Sequence, residues 1–170
     1  MGRFDLRFDS IETRKEVLQL QDFLLRHPGD YDIATYEPWV VGTCIAEIES
    51  GMRRSFGWWQ RGDLIADAIV KVEDGVALLR HFRVESPNFA HRGLGTFALR
   101  QVFPVAAELL IEQGAMDPDA TSVTVRMDTK EDGAAAHFFA HHGFEIVSQA
   151  DLYGSGKPDV IMERTYQLGA

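Results

Sequence analysis

The chain has 170 residues, a length that suits one domain with its own hydrophobic core. Its net charge of −9 argues against a protein that coats nucleic acid and mildly favours a cationic partner. The single cysteine, Cys44, excludes an internal disulfide and a cysteine-rich zinc site. The first residues lack an apolar signal core, and no apolar run approaches the roughly 20 residues that cross a bilayer. We therefore expect a cytoplasmic protein.

The first fifty residues predict one strand and two helices. Alternation of apolar and polar residues indicates a strand over residues 3–8. Asp9 or Ser10 is expected to cap the first helix, which ends at His27. Pro38 fits the first turn of the second helix. The predicted buried stripes are Val17, Leu20 and Leu24 on the first helix and Val41, Ile45, Ile48 and Met52 on the second.

The middle of the chain predicts three strands joined by tight turns, over residues 55–60, 64–72 and 76–84. A long helix is expected over residues 94–113, kinked or split at Pro104. The last quarter predicts strands over residues 122–127, 144–147 and 160–166, with a short helix over 134–142. The helical crossover favours a parallel pair of the fourth and fifth strands, whereas hairpins favour antiparallel pairs. The fold class expected is α/β (α+β), with a mixed, largely antiparallel sheet of about seven strands and helices on both faces.

A basic, glycine-bearing loop precedes the long helix. Gly93 and Gly95 let the backbone approach a ligand closely, because neither carries a Cβ atom. The first turn of the following helix adds N–H groups without intrahelical partners and the positive end of the helix dipole. Together these features predict a phosphate site, although a simple tight turn is the alternative. A nucleoside-triphosphate P-loop is excluded because no Gly-Lys-Ser/Thr sequence ends the loop.

Two motifs, in order, resemble those of the GNAT superfamily of acyl-coenzyme A-dependent N-acyltransferases. The segment Arg92-Gly93-Leu94-Gly95, after the fourth strand, is similar to the family's Arg/Gln-x-x-Gly-x-Gly/Ala motif. The segment from Asp132 to Phe144 is similar to its Asn-x-x-Ala-x-x-Phe-Tyr-x-x-x-Gly-Phe motif. Ala90 stands at the usual Arg/Gln position, and Phe139 stands where many members carry a tyrosine. The resemblance covers nearly the whole chain.

The resemblance implies that strands four and five splay apart around acetyl-CoA or another acyl-CoA. The pantetheine arm would pair with the backbone near Phe82 and Val84, and the loop amides with Arg92 would hold the pyrophosphate. The expected acyl-CoA-binding residues are Phe82, Arg83, Val84, Ala90, His91, Arg92, Gly93, Leu94, Gly95, Thr96, Asp132, Phe138 and Phe139.

Direct attack of an amine on a thioester requires a base for the amine, stabilisation of an oxyanion and an acid for the thiolate. His81 is a candidate base because imidazole exchanges protons near neutral pH. Glu85, at the end of the same strand, could act through a water molecule. Tyr153 is a candidate acid. Each of these residues also has a purely structural interpretation: a structural or surface histidine, a solvated loop carboxylate and a packing tyrosine.

Aromatic residues around the second helix predict either an acceptor pocket or core packing. Tyr36, Trp39 and Trp58 are the candidate substrate contacts, because an aromatic wall suits a cation or a ring. His137, His141 and His142 are spaced as metal ligands on a helix can be. Because no Glu or Cys completes the coordination, we expect no metal site.

The predicted function is N-acyl transfer from acyl-CoA to a primary amine. The acceptor is expected to be the amine of a small molecule, a peptide or a protein. We expect no membrane partner, and a nucleic-acid partner is disfavoured. The sequence is compatible with a homodimer. The alternative is a catalytically silent module on the same fold, which would bind acyl-CoA or another protein.

Overall fold

The computed structural model describes residues 6–28, 33–85, 93–131, 133–152, 156 and 158–169. Seven strands form over these residues: β1 (Arg7–Ser10), β2 (Arg53–Gln60), β3 (Asp63–Glu73), β4 (Val76–Val84), β5 (Ser122–Lys130), β6 (Glu145–Ala150) and β7 (Asp159–Gln167). The α-helices among them are α1 (Arg14–Arg26), α2 (Ile33–Trp39), α3 (Ile45–Glu49), α4 (Leu94–Glu112) and α5 (Ala134–His141). A π-helical segment, Val40–Cys44, joins α2 to α3.

The strands form one mixed sheet in the order β1-β2-β3-β4-β5-β7-β6. Strands β4 and β5 are parallel, with Ala77 opposite Val125 and Leu78 opposite Arg126. The pairs β1–β2, β2–β3, β5–β7 and β6–β7 are antiparallel. The predicted fold class, a mixed and largely antiparallel seven-stranded sheet with helices, is confirmed.

The chain divides into two compact units, and the first comprises Met1–Lys71 and His81–Leu99. Its core is a cluster of buried side chains from α1, the helices after it, and β2 and β3. Leu20, Phe23 and Leu24 of α1 have no exposed surface. Trp59 joins this cluster from β2. Burial of these large apolar side chains is what attaches the helices to the sheet.

The second unit comprises Val72–Arg80 and Arg100–Ala170. Its part of α4 buries Val102, Phe103 and Ala106 completely. The Phe103 ring stacks on Tyr166 of β7, with 4.5 Å between the ring centroids. By length and composition α4 could cross a membrane, but half of its most apolar stretch is buried in the protein. Its apolar character is therefore accounted for by core packing.

The expected helix cap at Asp9 or Ser10 is wrong. Strand β1 continues to Ser10, opposite Phe56 of β2, so neither residue is available to begin a helix. Instead the Thr13 hydroxyl accepts a hydrogen bond from the Glu16 N–H, and the Glu16 side chain accepts one from the Thr13 N–H. This capping box places the cap of α1 at Thr13, four residues after Asp9 and three after Ser10.

The expected start of the second helix at Pro38 is also wrong. Helix α2 begins at Ile33, and Pro38 is its penultimate residue, two positions before the π-helical segment. A π turn contains more residues than an α turn, so it rotates the buried face of the helix. As a result Val40 and Cys44 are buried, whereas Val41 is half-exposed. Met52, also predicted to be buried, lies beyond α3 and is half-exposed.

Pro104 does not split the long helix, because α4 runs without interruption from Leu94 to Glu112. Tertiary packing of Val102, Phe103 and Ala106 therefore outweighs the hydrogen bond that the proline cannot donate.

Glu47 of α3 forms ion pairs with Arg53 of β2 and Lys71 of β3, and its carboxylate lies 3.6 Å from the lysine nitrogen. Burial alone would raise the pKa of Glu47, but the hydrogen bonds and positive charges of Arg53 and Lys71 outweigh burial. The pKa is therefore lowered from its ordinary value of 4.5. The two cations hold this carboxylate in its ionised form.

Glu47 should make the fold sensitive to acid. Because its pKa is lower in the folded chain than in the unfolded chain, it stabilises the fold above the unfolded value of 4.5. This contribution is lost as the pH falls through the folded pKa. In Glu47→Gln we expect the free energy of unfolding, measured with urea, to fall less steeply below pH 4.5 than in wild type. Glu49→Gln, on the same helix, is the matched control, and equal slopes in all three proteins would contradict the assignment.

Candidate active site

The predicted phosphate site begins at Gly93, whose φ of +83° is a conformation that favours glycine. Helix α4 starts at Leu94, and the Phe97 N–H donates to the Gly93 carbonyl at 3.0 Å. A side chain other than glycine at position 93 would be strained, so the residue present fits a close approach of a phosphate to the helix N-terminus. Gly95 and Thr96 are half-buried in its first turn. Ala90, His91 and Arg92 lie outside the described residues.

The end of β4 supplies the other predicted acyl-CoA contacts in the first unit. Phe82, Arg83 and Val84 are all half-buried. The Arg83 Nε atom is buried and has no hydrogen-bond partner among the described residues. The Glu85 N–H donates to the Ile65 carbonyl of β3 at 2.7 Å, which ties the end of β4 to the sheet.

A buried histidine–carboxylate pair lies at the centre of the first unit. The His81 Nδ1 atom is 2.8 Å from the Asp67 Oδ2 atom. Asp67 has no exposed surface, and His81 is 7% exposed. A carboxylate can only accept a hydrogen bond, so the proton of the neutral imidazole sits on Nδ1. His81 Nε2 has no hydrogen-bond partner among the described residues, and its lone pair can accept a proton.

His27, directly after α1 in the first unit, was predicted only as a helix terminator. Its Nε2 atom is buried without a hydrogen-bond partner in the described part of the chain. Burial lowers the pKa of His27, and the positive charge of Arg26 lowers it further, while Glu85 partly offsets these effects. His27 is therefore more readily neutral than an exposed histidine.

Asp67 is also a residue that the sequence analysis missed. A signal was present, because an aspartate lies in the middle of the apolar run from Leu64 to Val70. Such a residue is rarely buried without a partner, so it pointed to a polar interaction inside the protein.

Glu85, the second predicted base, is one quarter exposed at its side chain and lies 3.8 Å from Arg26. It therefore has the access to water that His81 lacks. Tyr153, the predicted acid, lies outside the described residues.

The three aromatic residues predicted to contact the acceptor differ in their surroundings. Tyr36 is buried, and its hydroxyl donates to the Leu24 carbonyl at 2.8 Å. Trp58 has no exposed surface and packs against Phe8, so a direct contact with an acceptor would require it to move. Trp39 is half-buried and stacks on Tyr36, which leaves it the most accessible of the three.

The second unit contains the short helix of the second motif. Phe139 is buried and makes edge contacts with Phe138 and Phe144, so it packs in the core as a phenyl ring. Phe138 is half-buried and stacks near His142. Asp132 lies outside the described residues.

A small cavity of about 170 Å³ in the second unit lies where β4 and β5 pair. Leu78, Arg80, Met127 and Asp128 are among its lining residues. The Arg80 guanidinium lies 3.5 Å from the Asp128 carboxylate. The cavity adjoins the residues at which β4 and β5 pair in parallel, Ala77 with Val125 and Leu78 with Arg126. Both β4 and β5 continue beyond these pairs.

The single cysteine offers no accessible nucleophile. Cys44 is buried, and burial raises the pKa of its thiol to about 12. The thiol therefore stays protonated, as expected of a small core residue.

Several solved structures share this architecture. One is the PaiA N-acetyltransferase from Thermoplasma acidophilum in complex with coenzyme A, with a TM-score of 0.63 and 17% identity, covering 96% of this chain and 100% of that one. A GNAT-family protein from Desulfovibrio desulfuricans matches with a TM-score of 0.68 and 14% identity, over 94% and 98% of the two chains. The ribosomal-protein-S18-alanine N-acetyltransferase from Escherichia coli matches with a TM-score of 0.64 and 20% identity, over 97% and 96%.

No protein-family profile matches the chain, and no curated protein sequence does. The likeness is therefore one of structure across nearly the whole length of each chain. The chain has the GNAT fold, as the two sequence motifs predicted.

The position of the proton on His81 is directly testable. Because the Asp67 carboxylate accepts from Nδ1, we expect proton–nitrogen correlation NMR at alkaline pH to show neutral His81 protonated on Nδ1 and not on Nε2. His81→Gln would identify its signals among those of the six histidines. Protonation on Nε2 would contradict the pairing with Asp67.

Proposed function

We propose that this chain transfers an acyl group from acyl-CoA to a primary amine. The single observation that carries the proposal is the buried His81–Asp67 pair, which leaves His81 Nε2 without a hydrogen-bond partner in the described chain. Support comes from the shared fold and from the coenzyme A bound to one structural neighbour. Bound acyl-CoA would supply an activated thioester carbonyl.

The proposed donor site in the first unit is formed by the end of β4 and the start of α4. Backbone groups of Phe82 and Val84 would hydrogen-bond the pantetheine arm, as the family resemblance implies. The turn at Gly93 and the N–H groups of Leu94 and Gly95 would bind the pyrophosphate, because a helix N-terminus favours an anion. The remaining residues of this proposed set in the first unit are Arg83, Ala90, His91, Arg92 and Thr96. Asp132, Phe138 and Phe139, of the second unit, stay predictions of the family resemblance.

The proposed reaction is a direct transfer without a covalent enzyme intermediate. The amine nitrogen bonds to the carbonyl carbon, the carbon–sulfur bond breaks, and its electron pair leaves on the coenzyme A sulfur. His81 Nε2 takes a proton from the attacking nitrogen, and Asp67 stabilises the resulting imidazolium through Nδ1. Tyr153 is the proposed donor of the proton that the thiolate receives.

The proposed acceptor is a primary amine whose environment includes Glu85 and Trp39. A carboxylate and an aromatic face both attract an ammonium group. Amine chemistry is also consistent with one structural neighbour, which is an N-acetyltransferase of an alanine on ribosomal protein S18. Whether the amine belongs to a small molecule or to a polypeptide is decided by an acceptor screen.

A substitution at Gly93, compared with one at a similar glycine elsewhere, tests whether acetyl-CoA binds at the proposed donor site. Gly93→Glu places a side chain at a φ of +83° and a negative charge beside the proposed pyrophosphate. We expect calorimetric titration to show micromolar acetyl-CoA binding, about −8 kcal/mol, in wild type and none in Gly93→Glu.

Gly114→Glu is the matched control, because Gly114 has a φ of +71° with open space around it, away from α4's first turn. It carries the same charge and the same backbone strain but should retain acetyl-CoA binding. Unchanged affinity in Gly93→Glu would overturn the proposed donor site.

The role of His81 is tested by turnover. In His81→Gln we expect kcat to fall by about 10²-fold or more, with little change in KM for acetyl-CoA, because a base acts in the transition state. Release of coenzyme A thiol with an acceptor from the screen provides the measurement. If Glu85→Gln showed that loss and His81→Gln did not, the base would be Glu85.

A further inference from the structure

A cavity of about 790 Å³ in the first unit lies apart from the proposed acyl-transfer site. It is lined by α1, by the helices after it and by the first residues of β2. Arg53, which lines it, pairs with Lys71 on β3, four residues along that strand from Asp67. Ser55, which also lines it, pairs with Ile69, so at about 3.3 Å per residue the nearer of the two positions is about 7 Å along β3 from Asp67.

Two buried polar atoms at this cavity have no hydrogen-bond partner among the described residues. They are Nη1 of Arg53 and Oγ of Ser55, and both residues line the cavity. Arg53 is 6% exposed and Ser55 is 2% exposed. Buried donors are nearly always satisfied in native proteins, so two of them beside one cavity point to a ligand that accepts hydrogen bonds.

The charges around the cavity indicate which kind of hydrogen-bond-accepting ligand it suits. Arg53, which lines the cavity, forms an ion pair with Glu47, and Glu47 also pairs with Lys71, so the three groups together carry one net positive charge. The other charged residues that line the cavity are two acidic and two basic, and their formal charges cancel: Glu12, Glu49, Arg14 and Arg54. A single negative charge is therefore the electrostatic complement of the floor.

The remainder of the cavity wall is partly apolar. Val17 of α1 and Ile45 and Ile48 of α3 line it with aliphatic side chains. Leu18 and Val41, which also line it, are each 50% exposed. An occupant with an aliphatic body would cover this surface, and burial of apolar area would add to the binding free energy.

We propose that this cavity binds a small monocarboxylate with an aliphatic body, whose carboxylate accepts hydrogen bonds from Arg53 Nη1 and Ser55 Oγ. The aliphatic body lies against Val17, Ile45 and Ile48. This site does not depend on the acyl-transfer activity proposed above, because it uses none of the same residues.

The test uses three probes of similar shape: 4-methylpentanoate, its neutral amide 4-methylpentanamide, and the cationic 3-methylbutylamine. Each is titrated into the full chain and followed by backbone amide NMR shifts, which detect millimolar binding. We expect the carboxylate to shift amides around Arg53 and Ser55 and to bind at least about tenfold more tightly than the amide. Equal affinity for the three probes, preference for the amine, or absence of shifts at this cavity would overturn the proposal.

Ser55→Ala is the decisive variant, because the Ser55 hydroxyl has no partner within the described chain and its removal should not destabilise the fold. We expect it to weaken carboxylate binding by about tenfold while the unfolding midpoint is retained. Ser148→Ala, on exposed β6, is the matched control and should bind as wild type does. Wild-type carboxylate affinity in Ser55→Ala would contradict the proposed contact.

Discussion

A carboxylate with no exposed surface, Asp67 in the middle of β3, is the constraint on which the first unit depends. Such a group is costly to bury unless it is paired, and His81 on β4 supplies a hydrogen bond to it at 2.8 Å. The pair therefore fixes the orientation of the imidazole as well as the identity of its protonated nitrogen. This hydrogen bond satisfies Oδ2 of Asp67, whereas Oδ1 has no hydrogen-bond partner among the described residues.

A tight turn joins β3, which carries Asp67, to β4, which carries His81. Asp74 and Gly75 both have positive φ, of 52° and 75°, as a two-residue type I′ turn requires. A turn of this length sets which residues of the two strands are neighbours. Counted from this turn, Asp67 lies opposite Phe82, so the hydrogen bond between Asp67 and His81, 14 residues apart in sequence, joins residues that are not direct cross-strand partners.

Local sequence signals predicted the bounds of many helices and strands. They did not predict contacts between residues that are distant in sequence. The bounds of β4 and the start of α4 at Leu94 were predictable, because turn residues and alternation mark them in the sequence itself. The pairing of Asp67 with His81 was not, since alternation assigns a side chain to a face without identifying its cross-strand neighbour. The π-helical segment was missed for a related reason, because a wider turn changes the buried face without a distinct sequence signal.

We propose that the imidazole of His81, held by Asp67, serves the transfer of an acyl group to an amine. The most direct measurement incubates wild type and Asp67→Asn with acetyl-CoA and a mixture of primary amines, and follows acetylated amines by mass spectrometry. We expect wild type to form an acetylated amine and Asp67→Asn to form it more slowly, with a lower kcat and a similar KM for acetyl-CoA. Binding of acetyl-CoA by wild type without formation of any acetylated amine would contradict it.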